Sequence, residues 1–468
     1  MGNTIFKMMV AALVFAVTSA QAQWTEKGLG VRGEIRGDFW GWSVSMPSAN
    51  TFASGAYLSD GAATDAGHVR VFSWDGNNWT QKGANIDGKA ESSWSGYSVS
   101  MPDENTVAIG APGLSGSTES GYVRIYSWDG STWVQKGSDL IGDAANDRFG
   151  MSVSMPDANT VAIGASENDG GGNGSGQVKI FKWNGTDWEQ KGVDFFGSIP
   201  SAGMGKSISM PDASTILVGN LKSFILYASV YKWDGSSWVL RGTEQKMSSS
   251  GYSSNYSVSM PDANTFAVSN GSIEIYSWDG NDWVQKGASI SGDSRVDMPD
   301  ANTISISDPL DGLPYKGKAA IYRWNGTDWV QSGTDFIGEN YDYLGASISM
   351  SDNNNIAIGI PSLDGGGTAA SARFVRVYSL DNNVGIDKNY FNTKFTITPN
   401  PASSYITLTN LLNNTSITIT DLAGKQVYSA TANTTELSIN TSGFANGVYF
   451  VNVSNNGAVA TKKLVINK

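Results

Sequence analysis

Short runs in which apolar and polar residues alternate recur along most of the chain, always in the same order. One unit reads GMSVSMPDANTVAIGA over 150–165, then crosses a Gly-rich gap to QVKIFKWNG and WEQKG. Alternation with a period of two marks a half-buried strand. The second unit shows four such runs, at 97–101, 106–111, 122–128 and 133–137. Pro102-Asp103-Glu104-Asn105 separates the first two as a tight turn, and Asp129-Gly130 separates the last two as a hairpin. Four antiparallel strands in this order make one propeller blade. The phrase Ser-Met-Pro, or a close relative, centres on Met46, Met101, Met155, Met210, Met260, Met298 and Met350. Seven copies predict an all-β fold, a seven-bladed β-propeller of four-stranded blades.

The fourth run opens with Trp79, Trp133, Trp188, Trp238, Trp283 and Trp329, one copy short of the seven blades. The missing copy stands at the other end of the repeat region, in Trp24-Thr25-Glu26-Lys27-Gly28. Residues 24–28 are therefore expected to supply the outer strand of the last blade and to close the ring without an unpaired edge. Tryptophans at such fixed positions are expected to fill the wedges between blades.

Composition narrows the function classes. The chain of 468 residues holds 55 Gly and 16 Trp, no cysteine, one histidine (His68), and a net charge of −12. That charge is a poor footprint for nucleic acid or an anionic membrane surface. Without cysteine there is no disulfide, thiolate metal site or lipid-modified cysteine, and a single histidine leaves no ordinary nucleophile–base triad. No enzyme is expected. Residues 1–22 read as a secretory signal: Lys7 precedes an apolar run at 8–17, and a small-residue cleavage site places the cut between Ala22 and Gln23. That run is too short to span a bilayer, and no transmembrane segment follows it.

Phe149-Gly150 with Val161-Ala162-Ile163-Gly164-Ala165, and Gly110-Ala111-Pro112 one unit earlier, resemble the FG-GAP repeats of integrin-α-type propellers over about 24–381. In calcium-binding members the first turn carries spaced acids of the type D-x-D-x-D-G. Here that turn is Met155-Pro156-Asp157-Ala158-Asn159-Thr160 and no unit keeps the acidic spacing. No cofactor, calcium included, is expected, and Asp157 and its equivalents should cap the turn. The phrase Ser127–Trp133 also looks like the Asp-box of sialidase-like propellers, one residue short, and that motif is a hairpin signature without catalytic meaning.

From about residue 395 the repeat stops and Thr, Asn, Ser and β-branched residues take over. Pro399-Asn400-Pro401, Asp421-Leu422-Ala423-Gly424, Gly447-Val448-Tyr449-Phe450 and Lys462-Lys463-Leu464-Val465 resemble the type A sorting domain of the type IX secretion system of Bacteroidota. The resemblance implies a small Ig-like β-sandwich at 395–468 that engages the secretion machinery and directs the chain to the outer cell surface or beyond. Its motif residues are Pro399, Asn400, Pro401, Asp421, Gly424, Gly447, Tyr449, Lys462 and Lys463. Residues 23–381 then form the propeller, and 382–394 a polar linker.

In an up-and-down blade, alternate connections lie on opposite faces. The first and third turns repeat nearly unchanged, whereas the second loop and the loop between blades vary widely. Variation confined to one face of a regular scaffold is where loops acquire function. The candidate ligand residues on that face are Trp40, Trp94, Arg148, Asp169, Tyr315, Tyr341 and Tyr343, although Trp40 also sits beside the Phe-Gly position, where core packing is its other role. The leading expectation is a surface or secreted interaction module that binds a glycan or protein. The alternatives are a polysaccharide hydrolase or lyase working through loop acids such as Asp143 with Asp147, or Asp335 with Glu339 and Asp342, and a structural surface component.

Overall fold

The computed structural model describes residues 23–35, 37–113, 118–222, 225–247, 256–292, 295–362, 373–381, 395–411, 415–422, 424–455 and 458–468. The expected signal at 1–22 and the expected linker at 382–394 lie outside the described residues. The chain divides into two compact units, one over Trp24–Leu380 and one formed by the C-terminal residues.

In the first unit the alternating runs become seven antiparallel sheets, each with a four-strand path. The innermost strands are Ser43–Ser48, Ser98–Asp103, Phe149–Asp157, Ile208–Asp212, Ser257–Asp262, Arg295–Asp300 and Ser347–Asp352. The path of the seventh sheet ends in Gln23–Glu26, as the displaced Trp24 repeat requires. Seven hydrophobic clusters sit between neighbouring sheets, and one of them joins Val375 and Val377 of the seventh sheet to Val44, Met46 and Phe52 of the first.

Two sequence expectations need correction. The first turn is shorter than its composition suggests, because the strand runs on through Asp103 and only Glu104-Asn105 turn. A register shift between Ser100 and Asp103 places Pro102 at a bulge, where no ladder N–H is needed. The outer strand is also split. Trp79–Gln81 pairs with the end of the third strand, Lys82 N donates to Val71 O, and Ile86–Asp87 then pairs with His68 and Val69. The break falls at Gly83, whose φ of 81° ordinary side chains avoid. Among the described residues, six of the sheets carry such a fifth segment.

The repeated Ser-Met phrase has a clear mechanical role. The innermost strand is an edge, so the amides on its open side lack a partner within the sheet. In each sheet the Met amide donates to a side chain on the neighbouring sheet. Met101 uses Ser45, Met155 uses Ser100, Met210 uses Ser154, Met260 uses Ser209, Met298 uses Ser259 and Met46 uses Ser349. In the seventh link Met350 uses Asp297, so the bonds run around the whole ring at 2.6–3.0 Å.

A second ring of latches lies at the outer edge. The Trp79, Trp133, Trp188, Trp238, Trp283 and Trp329 indoles donate to the carbonyls of Lys27, Lys82, Lys136, Lys191, Arg241 and Lys286 on the preceding sheet. Trp24 completes the set by donating to Ser332 O. Each of those six cations also lies over a tryptophan pair, as Lys136 does over Trp183 and Trp188 at 5.0 and 5.5 Å. The periodic tryptophans are scaffold.

The Phe-Gly and Ile-Gly-Ala phrases fit together between sheets. A Cβ on Gly55, Gly110, Gly164 or Gly359 would stand 1.8–2.2 Å from the carbonyl oxygen of Gly96, Gly150, Gly205 or Gly41 next door. Glycine at both places lets the two backbones meet.

In the C-terminal unit, Thr396–Thr398, Tyr405–Thr409 and Glu436–Asn440 form one sheet, and Gln426–Ala432, Thr415–Asp421, Gly447–Asn455 and Ala458–Ile466 form another. Ile406, Leu408, Ile417, Ile419, Val451, Val453 and Leu464 are buried together in its core.

Candidate functional site

Among the described residues, the loop that enters the innermost strand is built the same way in five sheets. Three alternating residues take the left-handed conformation and the last is the Phe-Gly glycine. Two positions before that glycine stand Phe39, Trp94, Arg148, Gly203 and Tyr343, with φ of 54–57°. For a non-glycine side chain this conformation costs about 1–2 kcal/mol. It is held by a tight turn, as in Met151 N to Arg148 O at 3.0 Å and Tyr97 N to Trp94 O at 3.1 Å. The residue after the glycine stands at the entry to the inner strand and faces the cavity within the ring.

That position lines a cavity of about 530 Å³ at the mouth of the central channel. Trp42, Tyr97, Met151, Lys206 and Ala346 contribute from this place, and Tyr256 from the equivalent place in the fifth sheet. Leu310 and Pro361 come from the second loops, so the mouth opens on the variable face. Arg148, Arg295 and Tyr343 complete the wall. Among the described residues, no aspartate or glutamate lines it.

Aromatic rings support one side of the mouth. Trp42 lies 4.9 Å from Tyr57 and 5.5 Å from Tyr97, and Trp94 stacks on Tyr97 at 6.2 Å. Burial pushes the Tyr57 hydroxyl up to about 12 and raises that of Tyr97, although Arg295 and Arg148 pull the latter back. Lys206 is lowered by burial first, with the Arg295 charge next.

The candidate residues from the sequence divide. Arg148 and Tyr343 line the mouth. Trp94 buttresses Tyr97, and Tyr315 stacks on Tyr343 at 5.3 Å. Tyr341 holds the same loop, its amide donating to Pro314 O. Asp169 is exposed, and its carboxylate accepts from Gly174 N within its own loop. Trp40 is corrected: it is 0% exposed, donates its indole N–H to Val31 O and is covered by Arg70 at 4.0 Å, so it packs the core of the first blade and is not part of the mouth. The residues missed were Trp42, Tyr97, Lys206, Tyr256 and Arg295. The signal for the first three was available, since the residue after the glycine differs in each of the five copies that carry it.

The loop acids are engaged in holding structure. Asp143 pairs with Lys179, Asp335 pairs with Lys318, and buried Asp147 accepts from Ala144 N and Asn168 Nδ2. Asp342 accepts from Glu339 N. At the first turns Asp157 accepts from Asn159 N at 2.7 Å, a cap repeated at Asp103, Asp212, Asp262, Asp300 and Asp352.

In the C-terminal unit the sorting-motif residues serve its edges. Asn400, between Pro399 and Pro401, accepts from Val465 N and donates to Lys463 O. The Lys462 side chain reaches Phe395 O, while that of Lys463 is exposed. Asp421 accepts from Lys425 N in a turn that uses Gly424 at φ 81°. Gly447 opens the strand in which Tyr449 is buried, its hydroxyl donating to Ala445 O. Residues 396–467 match the family described as a secretion system C-terminal sorting domain.

The chain carries a type IX sorting domain. Residues 142–181, ahead of it, match the FG-GAP repeat. The sorting domain marks the chain for export to the cell surface or the extracellular space. Among the described residues no helix is long and apolar enough to cross a membrane. A search of curated proteins found no match. Among solved structures, the WD40 domain of Toxoplasma gondii coronin is similar over 78% of this chain and 88% of its own, with 10% identity and a TM-score of 0.50. PorZ, a surface component of the type IX secretion system of Porphyromonas gingivalis, aligns with 95% of this chain at 13% identity and a TM-score of 0.41. The chain covers 61% of the PorZ chain.

Proposed function

We propose that residues 23–381 form a closed seven-bladed ring, displayed on or released from the cell, that binds a glycan or protein at its channel mouth and performs no chemistry of its own. The observation that carries this reading is the contrast between the two kinds of position in one repeat. The serines, glycines and tryptophans that join the blades hardly change, whereas the residue after the Phe-Gly glycine is Trp42, Tyr97, Met151, Lys206 or Ala346, and each lines the same cavity. A cavity of this size, concave and part aromatic, is of the kind that takes a small ligand or a chain end. The reading needs no cofactor, and it is favoured over hydrolysis because the loop acids are engaged in ion pairs and with loop amides and none of them lines the mouth.

Glycan-array screening of the chain expressed from Gln23 tests it, with a Trp42→Ala/Tyr97→Ala double variant beside it. Binding that disappears in the double variant while the melt is kept supports the mouth as the site. Binding that survives unchanged places recognition elsewhere and sinks the proposal.

A further inference from the structure

The sixth blade departs from the repeat at two places. Where other inner strands read Ser-x-Ser-Met, it reads Arg295-Val296-Asp297-Met298. The first serine of this phrase normally ties two blades together, as Ser43 does to Gly96 O and Ser98 to Gly150 O. In the sixth blade a guanidinium stands there instead. Its Nε donates to Ala346 O at 3.3 Å, and its terminal nitrogens have no acceptor among the described residues.

Arg295 is not alone in the mouth. Arg148 and Lys206 line the same cavity, and neither makes an ion pair among the described residues. The three are close enough that Arg295 and Arg148 both lower the proton affinity of Lys206, and both act on Tyr97. The Glu167 charge partly offsets them at Lys206, but no carboxylate lines the cavity, and gathering three cations on its half-buried wall is unfavourable by itself, both through lost hydration and through mutual repulsion. The protein as a whole is acidic, with a net charge of −12, so this patch runs against the composition. Such a cluster becomes favourable when an anion joins it, because charge-assisted hydrogen bonds then satisfy the free donors.

We propose that the channel mouth is a site for an acidic carbohydrate, a sugar bearing a carboxylate or a sulfate; this rests on the reading of the mouth as the ligand site. Arg148, Lys206 and Arg295 hold the anionic group. Trp42 and Tyr97, steadied by Tyr57 and Trp94, offer ring surface to the C–H face of the same sugar. The pairing of an apolar ring wall with a cationic wall in one concave cavity of about 530 Å³ favours a saccharide over an acidic peptide, which needs the charges and has no use for the rings.

Calorimetric titration of the chain from Gln23 tests this with four probes: an oligogalacturonate hexamer, a heparin hexasaccharide, neutral cellohexaose and poly-glutamate. The uronate or the sulfated sugar should bind, with affinity falling as salt rises, and cellohexaose should bind at least about 10-fold more weakly. Binding of the galacturonate shows that a carboxylate suffices, whereas binding of heparin alone, which carries sulfates beside its carboxylates, assigns the site to sulfate. Arg148→Gln and Lys206→Met should each weaken it about 10- to 100-fold, whereas Lys232→Met, on the outer hairpin, should change nothing. Arg295→Gln should do the same as Arg148→Gln; the more exposed Arg148 and Lys206 variants keep the test open if Arg295→Gln fails to fold. Equal binding of cellohexaose, or acidic-sugar binding untouched by Arg148→Gln and Lys206→Met, overturns the anion site. If Trp42→Ala/Tyr97→Ala still abolishes binding in that case, the mouth remains the ligand site. Tighter binding of poly-glutamate than of either acidic sugar overturns the carbohydrate class, and failure of both acidic sugars to bind overturns the proposal.

Discussion

Asp297→Ser restores the repeat at the one place where the inner ring carries a group that titrates. Asp297 accepts from Met350 N at 2.6 Å, in the position that serine fills in the other six links. Burial pushes its carboxyl up to about 6, only partly opposed by the hydrogen bonds from Met350, Ser259 and Met298. An aspartate in an unfolded chain titrates near about 4. Between these values the folded chain holds the proton more tightly than the unfolded one. Stability linked to this group is therefore complete below about pH 4 and is lost as the pH rises toward about 6. Two pH units correspond to a ceiling of about 3 kcal/mol, and partial access of water to the channel brings a working figure of about 2 kcal/mol. A serine accepts the same amide without the charge. The variant should melt about 2–4 °C above the native chain at pH 8, and the gap should close near pH 4. Thermal melts of both chains across pH 4–8 decide the matter. A gap of the same size at both ends, or a native chain that is the more stable at pH 8, refutes the assignment of a buried, proton-holding carboxyl to the ring.

Other outcomes follow from the same contacts. Trp24→Ala removes the indole bond to Ser332 O and the edge contact with Phe336, and should cost about 2–3 kcal/mol by denaturant unfolding; an unchanged midpoint contradicts closure through the N-terminal strand. Gly164→Ala places a methyl 1.8 Å from Gly205 O, a backbone atom with no room to yield, and should lower stability by about 3 kcal/mol or more, while Gly443→Ala, with nothing within 4 Å, should be nearly silent. Asn400→Ala breaks both bonds to the last strand and should destabilise the C-terminal unit by about 1–2 kcal/mol; the measurement is the melt of that unit, together with the fraction of chain recovered outside the cell.

Much of the scaffold is legible in the sequence because its signals are local or periodic. Alternation gives the strands, Asp-Gly gives the hairpins, and the displaced Trp24 repeat shows where the ring closes. The C-terminal motifs carry the sorting domain in the same way. Contacts between repeats are less legible. The serine before each methionine reads as one more polar alternation, and only its neighbour in space, an edge amide one blade away, gives it a purpose. The split of the outer strand at Gly83 was hidden for a related reason. A glycine after a lysine reads as the end of a strand, although the chain resumes pairing at Ile86. Trp40 shows the opposite error, since a large aromatic in a variable loop looks like a binding residue until its burial beneath Arg70 is seen. The mouth residues are not legible as a site because they stand in the repeating phrase beside the variable loops, not within them. The residues that line the cavity sit at the first position after each loop, where the chain turns into the channel.

The most direct measurement is hydrogen exchange by mass spectrometry on the chain from Gln23, alone and with the uronate hexamer at saturating concentration. Protection is expected in the segments 39–44, 94–99, 148–153 and 206–209, which bring Trp42, Tyr97, Arg148 and Lys206 to the mouth. Protection confined to the opposite face, at the hairpins of Asp75, Asp129 and Asp234, or found at neither face, would contradict the assignment of function to the channel mouth.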